Sequence, residues 1–171
     1  GPARAGEGLT WKSYAEIGAG AAAAGGEARP LGSLESGIFL GRVEFGSYLY
    51  LIPLKFGSPD LIQQGALVYG GSLGFRLGPG TAGIVPYARL GLGGIVKDEA
   101  DGNGAFDGQG VEKSFCGILT LGAETSLGGR WSARFWGSYR LAPGYEDFEG
   151  RGLSGLDLGA SIRATWWTTL R

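Results

Sequence analysis

The strongest constraint on this chain is a period of two. In the stretch from Gly155 to Trp167 (GLDLGASIRATWW), Leu156, Leu158, Ala160, Ile162, Ala164 and Trp166 share one face. Asp157, Gly159, Ser161, Arg163, Thr165 and Trp167 share the other. Successive side chains of a strand point to opposite sides, so this is a strand with two unlike faces. In a soluble barrel or sandwich the apolar face turns inward, whereas in a barrel standing in lipid it turns outward. The function depends on which way it turns.

The same period divides the chain into eight strand-like segments. Leu9 to Ala19 sets Leu9, Trp11, Ala15, Ile17 and Ala19 against Thr10, Lys12, Tyr14 and Glu16. A long Ala/Gly and polar connection is expected from Ala21 to Ser36. Between Ile38 and Phe56, Phe39, Val43 and Phe45 oppose Arg42 and Glu44; Gly46-Ser47 reads as a tight turn; Tyr48 to Leu54 is almost wholly apolar. Ala66–Leu77, Ala82–Val96, Glu112–Leu127 and Trp131–Leu141 alternate more plainly, and the quoted stretch is the eighth strand. Tight turns at Gly46-Ser47, Gly78-Pro-Gly-Thr81 and Gly128-Gly129 are interleaved with four longer loops. Short turns on one rim and long loops on the other predict an all-β, eight-stranded, antiparallel up-and-down transmembrane barrel. Residues 1–8 read as an N-terminal extension or processing remnant, with Gly1-Pro2 either native or a tag scar, and 9–171 as one barrel domain. Both termini are expected on the periplasmic side.

The identity of the polar residues sets the orientation. Strand charges are mainly arginine and carboxylate: Glu16, Arg42, Glu44, Arg76, Arg89, Glu124, Arg134, Arg140, Asp157 and Arg163. A solvated face is free to use lysine. A narrow tube favours arginine with carboxylates, because the guanidinium forks onto them and is less strongly hydrated. These ten residues are therefore expected as a network inside the barrel, with Leu, Ile, Phe and Trp facing hydrocarbon. Trp11, Trp131, Trp166 and Trp167 fall near strand ends, as an interfacial girdle requires.

Other features exclude more than they assign. The chain of 171 residues has no histidine, so it lacks the usual general base and the commonest metal ligand. No catalytic, cofactor or metal site is expected. A net charge of -1 gives no footprint for nucleic acid. The lone Cys116 rules out an intramolecular disulfide and reads as a small packed residue. The loop Asp101-Gly-Asn-Gly-Ala-Phe-Asp107 superficially resembles a calcium loop, but Ala105 stands at its fifth place and no helices are expected to flank it.

The pattern resembles the small bacterial outer-membrane β-barrel superfamily of OmpA-type transmembrane domains, OmpX-like and OmpW-like proteins. The resemblance rests on Val85-Pro-Tyr-Ala-Arg-Leu-Gly-Leu-Gly-Gly94, the Gly128-Gly129 hairpin and the final amphipathic strand. Members usually finish on an aromatic residue, and here Trp166-Trp167 is followed by Thr-Thr-Leu-Arg. Enzymes on such barrels depend on a histidine, so the resemblance implies a non-enzymatic member. Its expected partners are membrane lipids and an envelope or surface protein, met by Gly-rich loops. The cluster Tyr145, Glu146, Asp147, Phe148 and Glu149 is the candidate contact. The interior charges either plug the tube or line a narrow, gated path. A conduit for small molecules and a soluble lipocalin-like barrel are the alternative readings.

Overall fold

The computed structural model describes residues 10–56, 62–78, 83–99 and 112–169. Among them every regular element is a strand: β1 (Thr10–Ala24), β2 (Glu27–Leu40), β3 (Val43–Phe56), β4 (Ile62–Arg76), β5 (Ile84–Glu99), β6 (Glu112–Gly128), β7 (Trp131–Leu141) and β8 (Gly155–Thr169). Each strand pairs antiparallel with the next, and β8 returns to β1 from Thr10↔Thr169 to Ala22↔Asp157, closing the barrel. Closure leaves no unpaired edge, a requirement for any sheet placed in hydrocarbon. Both described chain ends lie on one rim, here called terminal; the opposite rim is distal.

Three connections differ from the sequence reading. The run Ala21–Ala24 is strand, and only Gly25-Gly26, at φ 63° and 80°, separates β1 from β2. Consecutive positive φ values match a type I′ turn, whose twist suits antiparallel neighbours. The expected turn at Gly46-Ser47 lies inside β3, where Gly46 pairs with Gly37 and Ser72. The β2–β3 turn is at Gly41-Arg42, with Gly41 at φ 64°. Gly46 is glycine for space: a β-carbon there would run into the Tyr14 hydroxyl. The β6–β7 turn sits one residue later than expected, at Gly129-Arg130, because Gly128 still pairs with Trp131 across a register shift after Ser126.

Other lumen glycines have the same steric cause. A β-carbon on Gly122 would lie 2.6 Å from the Tyr87 ring, and one on Gly91 would lie 2.8 Å from the Tyr48 ring. An eight-stranded tube has just enough interior for side chains, so each large ring needs a bare backbone beside it.

Candidate functional site: the lumen and its two rims

Orientation follows from burial. Along β8, Leu156, Leu158, Ala160 and Ile162 are exposed, while Asp157, Ser161 and Arg163 are buried. Each strand repeats the arrangement: Ile17, Leu34, Phe45, Leu73, Leu90, Leu119, Phe135 and Ile162, one from each, project from the wall.

The terminal half of the lumen is a charge network. Arg163, at 0% exposure, is its hub. Its Nη2 lies 2.7 Å from Glu16 Oε2 and its Nη1 donates to Glu44 Oε2 at 2.7 Å. Nε also donates to Glu16 at 2.8 Å, and the guanidinium lies 3.9 Å above the Tyr14 ring. Arg134 donates to Glu16 Oε2 at 2.9 Å and covers the Tyr87 ring at 3.5 Å. Arg76 Nη2 donates to both carboxylate oxygens of Glu124 at 2.8 Å. Arg89 is paired with Glu35, which also accepts from Tyr50 Oη at 2.9 Å. Glu16 further accepts from the Ser161 hydroxyl. Four carboxylates thus face four guanidiniums, so the layer is neutral. Buried charge is tolerated only when paired in this way.

Three expected members lie elsewhere, and one member was not foreseen. Arg42 sits exposed in the β2–β3 turn; the misplaced turn had put it on a strand face. Arg140 and Asp157 form a separate pair in the distal half, at 3.0 Å, with Arg140 also donating to the carbonyls of Leu153 at 2.5 Å and Ala23 at 3.2 Å. Glu35 was hidden in the stretch read as a connection. Its one signal is the alternation Leu31, Ser33, Glu35 against Gly32, Leu34, Ser36, now seen as buried against exposed.

The rest of the distal half is apolar. Ile52, Leu54, Ala66, Val68, Ile95, Cys116 and Ile118 fill it, and Trp136 stacks on Tyr50 at 6.0 Å where the halves meet. Above them the loop between β7 and β8 folds inward as a cap. Tyr145 and Leu153 are buried, and Tyr145 Oη accepts from Lys97 N at 2.9 Å. Lys97 Nζ donates to the Glu146 carbonyl at 2.9 Å and lies 5.2 Å from the Phe148 ring centre. The cap is tied to the β1–β2 turn through Gly25 N donating to Gly152 O at 3.0 Å.

Asp147 organises this cap. Its Oδ1 accepts from the backbone N–H groups of Glu149 and Arg151, both at 2.9 Å, and its Oδ2 from Arg151 Nε at 2.9 Å. Burial alone raises its pKa, but these donors outweigh burial and hold the carboxyl below the usual aspartate range. Of the candidate contact cluster, Tyr145 and Asp147 are therefore turned inward, and Glu146, Phe148 and Glu149 face out.

Trp11, Trp131, Trp166 and Trp167 all occur at the terminal rim: Trp11 pairs with Thr168, Trp167 with Lys12, and Trp131 opens β7. Trp167, placed by alternation on the inner face, is 71% exposed because β8 ends there.

By sequence, no protein-family model and no curated protein matches the chain. Among solved structures, Neisserial surface protein A matches with a TM-score of 0.66 at 15% identity, over 91% of this chain and 98% of that one. The N-terminal β-barrel domain of Pseudomonas aeruginosa OprF matches with a TM-score of 0.62 at 14% identity, over 91% and 97%. The fold is that of the small outer-membrane barrels. At this identity the likeness covers backbone architecture and carries no residue roles across. A small outer-membrane barrel has a face for lipid, a lumen and two rims, and function is to be sought on the last two.

The segments 1–8 and 101–107, read above as an extension and as a failed calcium loop, lie outside the described residues.

Proposed function

We propose that this chain is an integral, non-enzymatic outer-membrane barrel with a closed lumen, both ends periplasmic, which presents its distal loops to envelope or surface partners. The observation that carries this reading is the inverted distribution of polarity. Apolar side chains stand exposed on all eight strands, Ile17 at 64% and Leu158 at 67%, while Arg134, Arg140 and Arg163 are at 0%. Soluble monomers rarely expose a contiguous apolar patch above a few hundred Å². A belt around the whole barrel suits acyl chains. The tryptophan-bearing terminal rim suits a bilayer interface. The complete absence of histidine supports the non-enzymatic part.

Placing an arginine in the belt tests the reading. Ile17→Arg, midway along β1, is expected to cost about 2–4 kcal/mol in phospholipid vesicles, the usual penalty near a bilayer midplane. A cost below about 1 kcal/mol, or a monodisperse folded protein in detergent-free buffer, refutes lipid contact. A paired charge layer, then apolar side chains packed around the committed Arg140–Asp157 pair, then a cap, argue for closure rather than a conduit. Planar bilayers should accordingly give no steady conductance of porin size.

A further inference from the structure

The terminal mouth of the lumen holds a cavity of about 110 Å³, open to the rim and lined by Lys12, Arg76, Glu124, Arg130, Ser132 and Thr165 among others. Its size excludes drug-sized ligands, which occupy roughly 300–1,000 Å³, and leaves room for a small ion. Its donors outnumber its acceptors. Glu124, the acid in the wall, is already engaged by Arg76 at 2.8 Å, with Arg134 at 3.6 Å and Arg163 at 3.8 Å. Thr165 Oγ1 donates to the Arg130 carbonyl at 3.3 Å. Four donor groups remain: the Lys12 ammonium, the Arg130 guanidinium, which lies 5.3 Å from the Trp131 ring centre, and two buried atoms. Those atoms are Arg76 Nε and Ser132 Oγ, and neither has a hydrogen-bond partner among the described residues. Ser132 is itself 7% exposed. With Lys12, Arg76 and Arg130 against the single carboxylate of Glu124, the lining is cationic on balance, and the two buried donors behind it lack acceptors at a typical cost of about 1–3 kcal/mol each, so the mouth favours something that accepts.

We propose that this vestibule is a binding site for a phosphate-type oxyanion. The donors come from β1, β4, β7 and the β6–β7 turn, so they approach from several sides. A tetrahedral group offers oxygens in those directions, whereas a planar carboxylate offers two in one plane. The shared chemistry is the phosphate monoester or free phosphate; a lipid headgroup from the adjacent leaflet and a soluble ion are its two sources. The site does not depend on the membrane reading, since it forms inside the barrel mouth.

The experiment titrates inorganic phosphate into the isotope-labelled barrel in a maltoside detergent, following the amides of Ser132, Thr165 and Lys12. A parallel arm uses phosphatidylcholine nanodiscs with and without phosphatidic acid. Saturable shifts with phosphate, absent with chloride at equal ionic strength, support the site and a soluble source; saturation only with phosphatidic acid supports the site and a lipid source. Lys12→Gln with Arg130→Gln should weaken binding by roughly tenfold or more, since a hydrogen bond to a charged group contributes about 1.5–3 kcal/mol. Ser132→Ala should weaken it by a smaller factor. Heat-modifiable gel mobility verifies folding of each variant. Shifts that never saturate in either arm, or a double variant that binds as the parent does, overturn the proposal.

Discussion

Replacing Arg163 by methionine separates a charge network that holds the barrel together from one that merely fills it. Arg163 supplies the short contacts of two buried carboxylates, and they do not suffer equally from its loss. Glu16 keeps Arg134 at 2.9 Å and the Ser161 hydroxyl. Glu44 keeps only Arg89 and Arg134, each at 3.7 Å, beyond hydrogen-bond length. Removing one partner of a buried pair typically costs about 3–5 kcal/mol, because the remaining charge is stranded. That is a large share of a total stability of about 5–15 kcal/mol. The imbalance falls on Glu44, so Arg163→Met with Glu44→Gln should recover about 2 kcal/mol or more, and Arg163→Met with Glu16→Gln distinctly less. Urea unfolding in phospholipid vesicles, followed by fluorescence of the five tryptophans, gives the free energies. A cost for Arg163→Met below about 1 kcal/mol would refute the network as a stabilising element. Equal rescue by the two glutamines would refute the assignment of the stranded charge.

The cap should respond to acid in a defined sense. The Asp147 carboxyl titrates below the usual aspartate range when folded, so its contribution is complete above that range and disappears as pH falls through the lower folded value. Amide protection across residues 145–153, corrected for intrinsic exchange, should therefore hold at pH 5 and fall only in stronger acid, while Asp147→Asn lowers it throughout the range in which the parent carboxylate is ionised. Protection that falls between pH 7 and 5 in the parent contradicts this. Glycine substitution tests ring accommodation: Gly91→Ala places a β-carbon 2.8 Å from the Tyr48 ring and should cost about 1–3 kcal/mol. Gly32→Ala, which meets nothing within 4 Å, is the control and should be near neutral in the same urea assay.

The eight-stranded barrel with its apolar outer face was legible from sequence wherever the two faces differ chemically. In β4 to β8, Leu, Ile and Phe alternate with Arg, Glu, Ser and Gly, and the strands fall close to where the pattern puts them. The pattern fails in two places for opposite reasons. From Gly18 to Ala24 both faces are Gly or Ala, too small to declare a side, and both are poor strand formers by composition. The end of the strand from Ala21 was therefore read as a connection, and Glu35 disappeared with the neighbouring strand. From Tyr48 to Leu54 both faces are apolar, because Leu49 and Leu51 face out while Tyr50, Ile52 and Leu54 fill the distal lumen. With no visible alternation, the turn was assigned to the nearest Gly-Ser pair, five residues late, and Arg42 was carried onto a strand.

That second failure bears on function. A lumen lined by charge throughout is compatible with a hydrated path, and the sequence left that path open. The distal half instead joins Ile52, Val68, Ile95 and Cys116 beneath Tyr145 and Leu153, and its buried Arg140–Asp157 pair is committed internally, to itself and to the Leu153 and Ala23 carbonyls. The Tyr50 hydroxyl, bound to Glu35 below while its ring stacks on Trp136, couples this layer to the charged one, so neither half opens without disturbing the other. On the closed-lumen reading proposed above, the chemistry falls to the ends. At the distal end, Glu146, Phe148 and Glu149 stand outward on a cap that Asp147 keeps in shape. At the terminal end, Lys12 and Arg130 border a donor-rich cavity. One rim thus offers acids and a ring, the other cations, and any partner that recognises both must meet the barrel from opposite sides of whatever the apolar belt is buried in.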